Sequence, residues 1–264
     1  QRLIGIKGSR GVGRTTFLLQ YAKENFGPRD KRCLYINMNN FYFQGKTLFQ
    51  FAQEFMQAGG QVLLIDQVFK YPEWSHELRL IHDRCSRLKV IFTGSSVMRL
   101  KEENQELNGI AASYNLRGFS FREYLNLRAG TNFRTYTIRE IQNRHERIAE
   151  EVLSQVNPLD YFNDYLHHGY YPFFMEKSSF IENLLKVINM MIEVDILLIK
   201  QIDLKYLSKI KKLLYLLATG DYGAPNVSQL AQDLQTSRAT VVNYIKYLTD
   251  ARLLNMLYRP GEDF

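Results

Sequence analysis

Three short stretches carry residue types that could hold a phosphate group and a metal ion at one place. The first is Gly8, Ser9, Arg10, Gly11, Val12, Gly13, Arg14, Thr15 and Thr16. Its glycines let the backbone curl so that successive N–H groups converge on an anion. A helix starting directly after it adds free N–H donors and a positive dipole end. Thr15 stands where its hydroxyl reaches Mg²⁺, and position 14, usually lysine in such a loop, is arginine. The second stretch is Asp66-Gln67, directly after Val62, Leu63, Leu64 and Ile65. An acid there holds Mg²⁺ through water beside the loop threonine. The third is Thr93-Gly94-Ser95-Ser96, after the apolar run 88–92, where a polar side chain such as Ser95 contacts a terminal phosphate or orients a water. Each stretch also has a plainer reading: a tight turn for the first, a helix cap for each of the others.

The elements around these stretches decide between the readings. Residues 3–6 read as a strand, and a helix is expected from Thr15 to about Asn25. Residues 33–38, 62–66 and 88–93 read as further strands, with helices over 47–58 and around Trp74, Leu78 and Ile81 between them. The run 62–65 is apolar throughout, as buried parallel strands are. Strand–helix alternation predicts an α/β fold, a parallel sheet with helices on both faces. All three polar stretches then fall at the carboxyl ends of strands, where such sheets bind ligands. Nucleotide binding is the reading they favour together.

The 264 residues are long for a single core, and the expected division is 1–130, 131–219 and 220–264. With 45% apolar and 23% charged residues the composition is that of a folded chain, which excludes a disordered one. A formal net charge of +7 mildly favours anionic partners. Cys33 and Cys85 are far apart and read as buried thiols of an intracellular, cytoplasmic protein. The apolar region 184–199 is broken by Lys186, Asn189, Glu193 and Asp195, so no membrane span is expected there. The abrupt ends read as those of a fragment.

The pieces resemble a family of prokaryotic AAA-type (P-loop) ATPases in which a short ATPase core precedes a helical region and a winged helix. The matching stretches are 8–16, 62–68 running into Lys70-Tyr71-Pro72-Glu73-Trp74, 89–96, 116–125 and 165–174. The resemblance covers nearly the whole chain. It implies ATP and Mg²⁺ as ligands, and a further C-terminal domain of restriction-nuclease type that is expected to be absent from this chain. Two departures bear on catalysis. Arg14 replaces the family's lysine, and a planar guanidinium is bulkier than a compact ammonium. Gln67 replaces its glutamate, and an amide orients a water but takes no proton. A site that binds ATP–Mg²⁺ and hydrolyses it slowly or not at all is therefore expected. In it Gln67, Asp66 and Arg122 are the catalytic positions, and Thr15 and Asp66 hold the metal. For Arg122 the resemblance leaves two readings, phosphate contact and a helix-surface ion pair; Arg117 is a weaker case, and Glu73 is a substitute base to be weighed.

Farther along, residues 138–156, 158–167, 179–200 and 204–218 read as helices, a helical lid. The aromatic turn 169–174 reads as packing between helices in preference to base stacking. Residues 226–234 and 237–248 have helix-turn-helix spacing, with 256–258 as the strand of a wing. The second helix would show Arg238, Thr240, Asn243, Lys246 and Tyr247 to DNA, only two of them basic. Expected partners are thus ATP or ADP, DNA through the winged helix, and a protein partner or second copy. The rival readings are a competent ATPase that tolerates Arg14 and Gln67, and a DNA-binding regulator with a decayed nucleotide site.

Overall fold

In the computed structural model, residues 1–98, 104–176, 179–220 and 224–257 are described. Five strands form one sheet: β1 (Leu3–Gly8), β2 (Cys33–Asn37), β3 (Val62–Asp66), β4 (Lys89–Ser95) and β5 (Ala111–Asn115). The order is β2-β3-β4-β1-β5 and every pairing is parallel. The register sets Gly8 beside Ser95 and Asn37 beside Asp66, so the polar ends of four strands lie along one edge.

Alternation along the strands sorts their side chains to two faces. Leu63 and Ile65 join a core with Leu48 and Ala52 of α2 (Leu48–Gln57) and Leu78 and Ile81 of α3 (Trp74–Arg84). Val62 and Leu64 join Ile6, Ile91 and Leu18 of α1 (Arg14–Asn25). Helices on both faces are what the uninterrupted apolar run of β3 requires, since each face must be covered. Thr47 starts α2 with a capping box to Gln50. β5 is a strand that strand–helix alternation did not predict. Ala111, Ala112 and Ser113 offer little apolar signal, and the strand is held at the sheet edge by pairing with β1.

By contacts the chain divides into two units, residues 117–184 and residues 1–116 with 185–264. The unit 117–184 contains α4 (Phe121–Ala129), α5 (Ile138–Leu153) and α6 (Leu159–Asp164), the last continuing as a π-helical turn over Tyr165–Gly169. Capping boxes start α4 at Ser120–Glu123 and α5 at Thr137–Glu140. The expected aromatic turn packs within this unit: Phe174 lies against Phe119 and Tyr124, and a Cβ on Gly118 would meet the Tyr170 carbonyl oxygen at 2.2 Å.

The helix expected over 179–200 is α7 (Phe180–Met190), a π-helical segment Met191–Ile196, and α8 (Leu197–Lys200), stopped by Gln201 in left-handed backbone. Then come α9 (Leu207–Thr219), α10 (Val227–Asp233) and α11 (Arg238–Asp250). Asn226 caps α10 and Ser237 caps α11. Met191, Ile192 and Ile196 share one core with Ile210, Leu213, Leu230, Val241, Ile245 and Leu248. The strand expected at 256–258 is not formed at Met256 or Leu257, which are irregular, and Tyr258 lies outside the described residues. Cys85 is buried and Cys33 half-buried, both as free thiols. Among the described residues no helix is long and apolar enough to cross a membrane.

Candidate functional site

The loop after β1 has the backbone that the glycines at 11 and 13 predict. Gly11 and Gly13 sit at φ 84° and 95°, where a side chain would be strained. Gly13 precedes α1 with no side-chain cap, so the first N–H groups of that helix are left for another acceptor. Gly8 is required by closeness instead of φ: a Cβ there would stand 2.5 Å from the Leu116 carbonyl oxygen. Ser9 and Val12 are buried, while Thr15 and Thr16 face solvent.

Thr15 and Asp66 meet, although 51 residues separate them: Thr15 Oγ1 donates to Asp66 Oδ2 at 2.8 Å. The same oxygen accepts from Tyr35 Oη at 2.9 Å and Asn37 Nδ2 at 3.2 Å, and Oδ1 accepts from Thr93 Oγ1. Asp66 is only 1% exposed, and four donors compensate the burial of its charge. Tyr35 and Asn37 were not singled out from the sequence. Their signal was their place at the end of the neighbouring strand β2. Burial is the main cause that raises the Tyr35 phenol above its usual range.

Gln67 follows in left-handed backbone, φ 57° and ψ 44°, a conformation that costs a non-glycine residue about 1–3 kcal/mol. Its N–H donates to Thr93 Oγ1 at 2.9 Å, while its Oε1 is buried without a hydrogen-bond partner. Ser96 Oγ and Arg10 Nε are likewise buried and unpartnered. Arg14 is buried and donates to the Gly94 carbonyl oxygen. Burial lowers its pKa first; Asp195 pulls it up, Arg10 down and Asp66 up.

Arg10 Nη2 lies 2.6 Å from Asp195 Oδ1, and Ser95 Oγ donates to Asp195 Oδ2 at 3.2 Å. Ser95 is thus at the predicted edge, but its hydroxyl is engaged by a carboxylate from the π-helical segment. Lys70 donates to Asn39 Oδ1 at 2.5 Å. Burial, and next the charge of Arg10, lower its pKa, with Asp195 and Asp66 acting the other way. Arg122 belongs to the unit 117–184, where it donates to the Phe133 carbonyl oxygen at 3.0 Å and lies 3.7 Å from Glu123. Glu73 is exposed, in left-handed backbone just before α3.

These residues fit a nucleotide with a divalent cation. A hydroxyl and a carboxylate stand together at the strand edge, unpartnered polar atoms are buried beside them, and the helix N-terminus is uncapped.

Residues 1–125 match a family described as AAA domain, and residues 159–262 match a domain of unknown function, DUF8612. An uncharacterized protein of Methanocaldococcus jannaschii is 27% identical over 99% of this chain, which spans 58% of that relative's length. Among solved structures, Drosophila ORC bound to DNA is 13% identical, with a TM-score of 0.37, over 98% of this chain and 83% of its own. PCH-2 of C. elegans is 16% identical, with a TM-score of 0.33, over 96% of this chain and 62% of its own. A DNA polymerase III gamma subunit-related protein of Thermotoga maritima is 12% identical, with a TM-score of 0.34, over 95% and 92%. Residues 1–125 are thus similar to an AAA domain, over a stretch that contains the glycine loop and the five strands of the parallel sheet.

Proposed function

We propose that this chain binds ATP–Mg²⁺ at the loop 8–16 and hydrolyses it slowly, as a nucleotide-controlled switch. The observation that carries the reading is the 2.8 Å contact of Thr15 with Asp66 beside the left-handed glycines of the loop. ATP supplies a phosphoryl group that water can accept. The amides around Gly11 to Thr16 hold phosphate oxygens, and Arg14 adds positive charge from its buried place beneath them. Thr15 and Asp66 hold the metal, with Tyr35, Asn37 and Thr93 fixing the carboxylate. Gln67 orients a water by hydrogen bonds but removes no proton from it, which is the reason for slow turnover.

Calorimetric titration with MgATP, with steady-state turnover measured beside it, tests both halves. Saturable binding with turnover well below roughly one per second supports the reading. Turnover at or above that rate would establish the competent-ATPase alternative. A second reading, DNA contact through a winged helix, is favoured by Arg238, Asn243 and Lys246, all exposed on α11. Contact with a protein partner or a second copy is compatible with either reading.

A further inference from the structure

Asp195 lies 185 residues beyond Arg10 in the chain and yet reaches the phosphate loop. It is 1% exposed. One carboxylate oxygen takes the Arg10 guanidinium at 2.6 Å and the other accepts from Ser95 at 3.2 Å. Arg10 belongs to the loop and Ser95 ends β4, so two groups available to a phosphate are already committed to an oxyanion. A carboxylate and a phosphate oxygen make the same kind of charge-assisted bond to a guanidinium. The element that brings Asp195 in is a π-helical segment, Met191–Ile196, of a type that recurs at functional sites. Its other buried side chains, Met191, Ile192 and Ile196, share one core with residues of α9, α10 and α11.

We propose that Asp195 is an internal occupant of the phosphate cradle, displaced from Arg10 when a nucleoside polyphosphate binds. This rests on the nucleotide-binding reading of the loop. Arg10 exchanges the carboxylate for a phosphate oxygen. Asp195 is then a buried carboxylate that has lost its cation, which is costly. The segment 191–196 relieves that cost by loosening its packing on the helix-turn-helix. The coupling is reciprocal: contacts that hold 191–196 in place weaken nucleotide binding.

The test compares the chain with Asp195→Asn, measuring MgADP affinity by calorimetry. It also measures amide exchange of residues 191–200 in the unsubstituted chain with and without saturating MgADP. Removing the competing charge should tighten binding about tenfold, because Arg10 no longer has to leave a carboxylate. Nucleotide should speed exchange in 191–200. If Asp195→Asn does not fold, the exchange measurement decides alone. Equal or weaker affinity in the variant, or unchanged exchange at saturation, overturns the displacement while leaving nucleotide binding intact. Absence of binding by both proteins overturns the two readings together.

Discussion

Asp66 accepts hydrogen bonds from Thr15, Tyr35, Asn37 and Thr93, and that full set defines what a substitution there must do. In Asp66→Asn one oxygen becomes an amide nitrogen and faces donors. The mismatch should cost about 1–3 kcal/mol of stability, read as a lower melting temperature. It should also abolish the difference in nucleotide affinity between buffers with Mg²⁺ and with a chelator. Gln67→Glu restores a proton acceptor on the same backbone, so turnover should rise by about 10²-fold in a steady-state assay. An unchanged rate would mean that Gln67 is not the limiting group. The loop, Asp66 and Gln67 were legible because residues adjacent in sequence carry their signal: glycine spacing, and an acid closing an apolar run. Asp195 was not. Its local sequence shows only a charge interrupting an apolar helix, and its partner is 185 residues away.

Strands buried on both faces carry an unbroken apolar run that marks them in the sequence. β3 was legible for that reason, and β5 was not, because an edge strand of small and polar residues needs only its neighbour's backbone to form. The π-helical segments are invisible to a 3.6-residue pattern, since their apolar residues still read as helix. Gly8 ends β1 beneath the Leu116 carbonyl, which is backbone and cannot swing aside. Gly8→Ala should therefore lower stability by about 1–3 kcal/mol in thermal unfolding and weaken nucleotide binding with it. At the start of α5, the Thr137 N–H and then Arg134 hold the Glu140 carboxyl down at about 2. A depressed acid contributes in its charged form. Its support for the helix start is present above the usual 4.5 and is lost as pH falls through about 2. Amide exchange at residues 138–141 should show that loss, and Glu140→Gln should remove the pH dependence.

For the molecule as a whole, the same unit holds the glycine loop 8–16 and helices α9 to α11, and the segment Met191–Ile196 touches both, through Asp195 on Arg10 and through Met191, Ile192 and Ile196 in the core of those helices. The net charge of +7 is not gathered on α11, where Arg238 and Lys246 are the exposed basic side chains. If that helix touches DNA, replacing both with alanine should flatten the salt dependence of binding by about two in log–log slope. No change in slope would remove the DNA reading. All of these readings depend on whether the amides around Gly11 to Thr15, with Asp66 behind them, grip a polyphosphate. Titrating the full chain with MgATP in a calorimeter asks this directly. The account predicts one saturable site whose affinity falls when Mg²⁺ is chelated; no detectable heat and no binding at millimolar MgATP, roughly the top of the ordinary nucleotide range, would contradict it.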